Sequence, residues 1–583
     1  VRDDTIVRLE PEPEHIAPDH APEGDGDNAP EVVVPKSLAG IVTATLPALA
    51  LAACGRDGGT PTAVVPTPAP TPTPVVVAPT KAQASRFLAQ TSMGSASADI
   101  DKVVSQGYDA WITEQFAMPR ATSHWDWLVA GGYNAATNIN NQNGFNNSVW
   151  RQLILGQDQL RQRVGIALLN FLVIGIDGLN TNWKAFAAAA YLDVLMDNAF
   201  GNYRDILDKI STNAAMGYWL TFLGNRKANA ATGVQPDENY ARELMQLFTL
   251  GLYKLNADGT QQMSGTAPIE TYGPDDVSGL ARVFTGFNLD STDSTTPDRL
   301  RRPLIQQAAN HELGTKVFLG TTIPANTDGF ASLKLALDAI FAHPNVPPFV
   351  SKQLIQRLVT SNPSPAYVGR VSAIFANNGA GVRGDMKAVI RAILTDTEAR
   401  SDTNLTSANF GKLREPVVRL TNWARAFGVT SPSDAWAIGD TSSSINRLAQ
   451  SIGHSPSVFN FFRPGYTPPN TAISAAGLVA PELQITNEPS VVAYVNYMQT
   501  LIQSGTGDVK ADYTAILTKA SDSTALIDEI NILLAAGQLS SATVATIKTA
   551  VDSIGTTTPA LLSNRVYTAI LLTMASPDYL AQK

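Results

Sequence analysis

"WKAFAAAAYLDVLMDNAFGNYRDILDKISTN", residues 183–213, sets the architecture. Apolar residues return there at i, i+3, i+4 and i+7, the spacing that gathers them on one face of a helix. From about Ala82 the same period extends in both directions. It runs through "ASRFLAQTSMG", "ADIDKVVSQGYDAWITEQFAM" and "RQLILGQDQLRQRVGIALLNFLVIG" before this stretch, and through "FASLKLALDAIFAH", "PPFVSKQLIQRLVT", "LREPVVRLTNWARAFG" and "RVYTAILLTMAS" after it. Strand-like alternation is scarce. "TKVFLGTTI", 315–323, is the only convincing extended piece, a small hairpin with Gly320 at its turn. No fixed-period repeat is present, which argues against a regular solenoid. The expected class is therefore all-α (mainly α): one large multi-helical body over 82–583, with long loops and a small β-hairpin near 315–323.

With 583 residues, 44% of them hydrophobic, the chain has ample material for a sizeable core. Its net charge of −9 is unevenly placed, since residues 1–35 hold ten acids against Arg2 and Arg8. That segment carries −8 and leaves −1 for the rest. A near-neutral body lacks the basic footprint of nucleic-acid binding, so no nucleic-acid partner is expected.

A single cysteine, Cys54, rules out disulfides within the chain and a thiolate metal cluster. Residues 37–54 run apolar after Lys36 and end "LAAC", which resembles a bacterial lipoprotein signal whose cysteine becomes lipidated. The run is too short, and too broken by Pro47, to span a membrane. A buried apolar element with an incidental cysteine is the alternative. Residues 1–36 read as a disordered acidic leader, or as a mistaken start with true initiation at one of Val32, Val33 or Val34. Residues 55–81, "GRDGGTPTAVVPTPAPTPTPVVVAPTK", alternate Pro and Thr and form an extended tether. These features together predict an exported protein, periplasmic or at the cell surface, held to a bacterial membrane through lipidated Cys54.

"PDENYARELMQLFTLGLYKLNADG", 236–259, concentrates acid, amide and base in a chain that is only 16% charged. On a helical wheel Tyr240, Ala241, Leu244, Met245, Leu247 and Phe248 fill one arc, and Glu238, Asn239, Arg242 and Gln246 the other. Pro236 and Asp237 suit a first turn. Glu238 and Arg242 stand at ion-pair spacing. Glu243 falls beside Leu247 and Leu250, where desolvation would raise its pKa and suit it to general acid or base work. The structural alternative is a clamp in which Glu238, Arg242 and Glu243 pair with neighbouring helices, Arg282 among them.

"DENYARELMQLFTLGLYKLN" followed by "DVSGLARVFTGF" is similar to the signature of the bacterial family known as domain of unknown function 1800. The resemblance continues through "RQRVGIALLNFLVI", "HELGTKVFLG", "KLREPVVRL" and "SPSVFNFFRPGYTPPN", covering roughly 84–583. It implies a large, mainly α-helical exported protein, often encoded beside another exported family, with no established activity. Two positions depart from the family's habit: Met93, where Phe is usual, and Glu312–Leu313 after His311, where Asp and a small residue or Pro are commoner.

His311 closes a long polar loop and opens the hairpin, which makes it the foremost imidazole candidate. His124, His343 and His454 are weaker, and no two histidines are spaced as ligands, so no metal or cofactor is expected. "DSTDSTTPD" and "NADGT" lack a calcium-loop pattern and read as solvated turns. "GHSPS", 453–457, only half-resembles a nucleophile elbow, and no strand precedes it. Asn460, Arg463 and Tyr466 sit among Phe459, Phe461 and Phe462 in a Pro-constrained loop, a mixture suited to sugar or peptide. Locking of the last helices is the alternative role. The long connections 131–148 and 288–314 are the places where a substrate surface could lie.

Two functions remain open. One is a binding or assembly component acting on envelope or extracellular polymer, or on a co-exported protein. The other is a hydrolase or lyase on polysaccharide or ester, with Glu243 and Glu238 catalytic and His311, Arg242, Arg282, Asn460, Arg463 and Tyr466 contacting substrate.

Overall fold

The computed structural model describes residues 78–583. The acidic leader, the signal-like run with Cys54 and nearly all of the Pro/Thr stretch lie outside the described residues. The first helix, Lys81–Thr91, starts where the Pro/Thr pattern stops. Thr80 caps it: its Oγ1 accepts from the Gln83 amide at 3.2 Å while Gln83 Oε1 accepts from the Thr80 amide at 2.9 Å.

The described residues form 23 α-helices and four two-stranded antiparallel sheets, so the protein is mainly α. The helix Lys184–Asn198 is enclosed on all sides, with Ala187, Ala188, Ala189 and Tyr191 without exposed surface. Its alanines let neighbours come close. The helices His124–Ala130, Gln159–Leu169, Tyr203–Ser211 and Ala214–Trp219 pack around it. In the Tyr203–Ser211 helix, Tyr203, Ile206, Leu207 and Ile210 are all buried, the i, i+3, i+4, i+7 face of the sequence pattern. At the other end the helices Glu488–Ser504, Ser523–Ala535, Ser541–Asp552 and Pro559–Ala575 pack together, and Ser523–Ala535 also packs against Lys81–Thr91. Among the described residues no helix is long and apolar enough to cross a membrane.

The hairpin stands where it was expected, Lys316–Phe318 pairing with Thr321–Ile323. Its two turn residues, Leu319 and Gly320, have φ of 49° and 72°, the type I′ geometry that matches strand twist. It is not the only extended piece. Met263–Ser264 pairs with Ala267–Pro268, Phe287–Asn288 with Ile305–Gln306, and Lys412–Leu413 with Ala581–Gln582. Ladders of two residues are too short to display an alternating pattern.

The 236–259 stretch departs from a single α-helix in two ways. Its helix begins at Asn239, not at Pro236, because the Asp237 carboxylate is occupied by the Thr221 hydroxyl and the Asn239 amide, each at 2.8 Å. Beyond Glu243 the helix widens into a π-turn, Leu244–Thr249, in which the Leu250 amide donates to Met245 O at 2.8 Å. A wheel of α-helical pitch therefore holds only as far as Glu243.

Candidate functional site

The tail of that stretch, Leu250–Gln261, folds back over the helix Val346–Leu358. One buried amide fastens it: Asn345 Nδ2 donates to Leu250 O at 3.0 Å and Tyr253 O at 2.8 Å, and its Oδ1 accepts from the Leu255 amide at 3.0 Å. Farther along, Asp258 Oδ1 accepts from the Thr260 hydroxyl at 2.6 Å and its amide at 3.0 Å, which holds the Asp258 carboxyl below the usual range. Gly259 has φ of 79°, and a Cβ there would stand 2.8 Å from Val368 Cγ1. Only glycine lets the loop pass so close to the Pro365–Ala376 helix.

Between this loop, the Val346–Leu358 helix and the segments 361–365 and 477–479 lies a cleft of about 760 Å³, closed on one side by Pro464 and Gly465. A second cleft of about 250 Å³ shares Ser361, Asn362, Asn409, Leu478 and Val479 with it, so the two form one continuous groove. Tyr253 and Phe349 supply ring faces. Hydrogen-bonding capacity comes from the side-chain amides of Gln261 and Asn409 and from Lys352, whereas Gln353 Oε1 already accepts from Arg357 Nη1 at 2.5 Å. Lys352 has no carboxylate within ion-pairing distance among the described residues; it is exposed, and partial desolvation by the surrounding walls lowers its pKa. Asn362 is spent on architecture, since both its amide atoms bond the Val479 backbone at 2.9 Å. The groove is thus mixed in polarity and aromatic in part, with Asp258 set against Lys352, Lys583 and the ion-paired Lys412 in its lining.

The candidate residues fall into separate places. Glu238 and Arg242 pair with each other on the surface at 3.0 Å. Among the described residues the Arg282 side chain reaches only Thr315 O, at 3.5 Å. Glu243 is 9% exposed, and its Oε2 has no hydrogen-bond partner among the described residues. Burial raises its pKa to about 7 against a weaker opposing pull from Arg242. Beside it the Tyr272 hydroxyl is also buried without a partner among the described residues, and burial first, then the Glu243 charge, raises its pKa to about 12. Glu243 does not line the groove.

His311 has no exposed surface; its Nδ1 lies 2.8 Å from Thr285 O and its Nε2 3.5 Å from Ser332 Oγ, and burial lowers its pKa. Asn460 faces inward, donating to Asn170 Oδ1 at 2.7 Å and accepting from Ser455 Oγ at 2.8 Å. Arg463 is exposed over the Phe459 ring at 5.0 Å, and Tyr466 is half-buried. These two flank Pro464 and Gly465 in sequence, at the wall of the groove. No hydrogen bond or ion pair joins Glu243, His311 and Arg463. The loops 131–148 and 288–314 lie outside the groove.

Sequence reasoning missed a buried ion network behind the groove. Lys412, 1% exposed at its side chain, reaches Glu482 at 2.9 Å and Glu415 at 3.4 Å. Glu415 also accepts from Gln450 at 2.8 Å and Asn170 at 3.2 Å, while Lys412 and Arg163 both donate to Arg357 O. Burial, opposed by Lys412 and reinforced by the Glu415 charge, raises the Glu482 pKa; Lys412 and Arg163 overcome the burial of Glu415 and lower its pKa. The available signal was charge inside apolar helical windows, as in "KLREPVVRL" and "RQRVGIALL". Among the described residues no group of His, Cys, Asp and Glu is arranged to hold a metal ion.

Fold and groove together define a large, mainly α-helical protein with an open, amide-lined cleft and a charged interior. The model of the family described as "Protein of unknown function (DUF1800)" matches residues 86–581, and the chain belongs to that family. No curated protein and no solved structure matches it.

Proposed function

We propose that this chain is an exported, lipid-anchored cell-envelope protein whose helical body binds an envelope or extracellular polymer in the 250–261/346–358 groove. The observation that carries this reading is the groove itself: open, with the side-chain amides of Gln261 and Asn409 lining the same space as the rings of Tyr253 and Phe349. Amides exchange hydrogen bonds with sugar or peptide groups in either direction, and ring faces cover the apolar side of such a polymer. The "LAAC" run with Cys54 and the Pro/Thr stretch support attachment at a membrane surface, with the tether holding the body away from it. Titration calorimetry of the full chain against a panel of soluble envelope polysaccharides and peptides tests this. Tyr253→Ala and Phe349→Ala should each weaken binding about tenfold, a loss of roughly 1.4 kcal/mol. Unchanged affinity in both variants rejects the groove as the site.

Hydrolase or lyase chemistry through Glu243, with Glu238 nearby, is favoured by one observation: a buried, unpartnered carboxyl able to exchange its proton near neutral pH. Turnover on a polysaccharide and ester panel that is abolished in Glu243→Gln supports it. Turnover unaffected by that change removes Glu243 from any catalytic role.

A further inference from the structure

Behind the groove, separated from it by Leu413, lies a second and smaller space. This cavity of about 70 Å³ sits between the start of the helix Pro416–Ala426 and the first turns of the helix Glu488–Ser504. Leu448, Ile485, Val495 and Leu580 give it aliphatic walls, and Val491, 50% exposed, stands at its mouth.

Its charged lining residue is Arg419, which is 6% exposed. Nε of Arg419 donates to Arg414 O at 2.7 Å, and the guanidinium lies over the Tyr494 ring at 4.8 Å. Arg414, 3% exposed, lies likewise over Tyr579 at 4.5 Å. Among the described residues neither guanidinium has a carboxylate within ion-pairing distance. Glu415 and Glu482 are both drawn to Lys412 instead.

Two neighbouring buried cations without an anion are unfavourable, and aromatic faces offset only part of that cost. The cavity's hydroxyls do not relieve it either. Thr486 Oγ1 is turned to Glu482 O at 3.1 Å and Ser490 Oγ to Ile485 O at 3.0 Å, so the recognition of charge falls to Arg419.

We propose that this cavity binds a small carboxylate with a short aliphatic tail, its carboxylate on the Arg419 guanidinium and its tail among Leu448, Ile485 and Val495. A guanidinium fork matches a carboxylate with two parallel hydrogen bonds. The volume admits about half a dozen non-hydrogen atoms, judged against the roughly 10–15 Å³ that one water needs by the same measure. Inorganic phosphate would satisfy the charge and leave the aliphatic walls without a partner. A long fatty acid exceeds the space.

Calorimetric titration of the full chain with butyrate, octanoate and inorganic phosphate tests the assignment, in the parent and in Arg419→Met and Ala575→Leu. The second variant fills the cavity and leaves Arg419 in place, so it remains informative if Arg419→Met does not fold. Butyrate should bind saturably to the parent, at least tenfold more tightly than phosphate or octanoate, and each folded variant should lose at least tenfold. The assignment is overturned by no butyrate binding to the parent, by phosphate or octanoate binding as tightly, or by parental affinity in Ala575→Leu.

Discussion

Glu243 holds its proton well above the range of an unfolded glutamate, which releases it near ~4.3. Between that value and about 7 the folded state binds the extra proton, so stability through this group falls as pH rises across the window. Glu243→Gln removes the dependence. In urea melts its stability relative to the parent should rise by about 1–3 kcal/mol between pH 5 and pH 8, less than the full shift because solvent still screens the carboxyl in part. A difference that stays constant with pH would show that Glu243 titrates normally. The burial of this side chain was readable from its place beside the apolar arc. Its isolation was not: Arg242 turns to Glu238 and Arg282 to Thr315 O, and which base meets which acid depends on neighbours contributed by distant segments.

Asp276 joins two elements through one carboxylate. Its Oδ2 accepts from the Gly273 amide at 2.8 Å, closing the start of the helix Pro274–Ala281, and its Oδ1 accepts from the Leu319 amide in the hairpin turn. Asp276→Ala should cost about 1–3 kcal/mol in urea melts, since two donors lose their acceptor, while Asp276→Asn keeps one of them and should cost less. Equal losses in the two variants would mean that the carboxylate's charge, not its acceptor geometry, carries the effect. At this level the helices and the 315–323 hairpin were legible because long periodic runs and a glycine turn leave local marks. The π-turn at Leu244–Thr249 was not, because an extra residue in one turn leaves the composition of the stretch unchanged and alters only its pitch. The groove was hidden for a related reason: its walls come from 250–261, 346–365 and 477–479, and none of these is polar enough alone to stand out.

The buried network spans the chain from Arg163 to Glu482 and places Lys412 between two carboxylates. Lys412→Met leaves Glu415 and Glu482 without that cation and should cost about 3–5 kcal/mol. One of the two acids will then hold its proton in the folded state, so the deficit should be smaller at pH 5 than at pH 8, as read by denaturation at both. A pH-independent deficit would place the compensating charge elsewhere, with Arg163 and Arg357 the nearest basic groups. Such a network cannot be inferred from any one window, because Arg163 comes from a helix, Lys412 from a two-residue strand and Glu482 from a short turn, segments that the chain brings together only on folding.

The docking of the Lys81–Thr91 helix fixes an order of assembly. Ser85 Oγ donates to Ile532 O at 2.7 Å and Gln90 Nε2 to Lys583 O at 3.2 Å, so this helix is seated by residues more than four hundred positions later. Nascent chains ordinarily fold from the N-terminal end as they emerge. Here Phe87, without exposed surface in the finished fold, is covered by the very next helix, Ser97–Ala117, against the rings of Tyr108 at 4.7 Å and Trp111 at 5.3 Å, while the bonds of Ser85 and Gln90 wait for segments made much later. The apolar face of the first helix is thus sheltered early, and its locking in place is a late step.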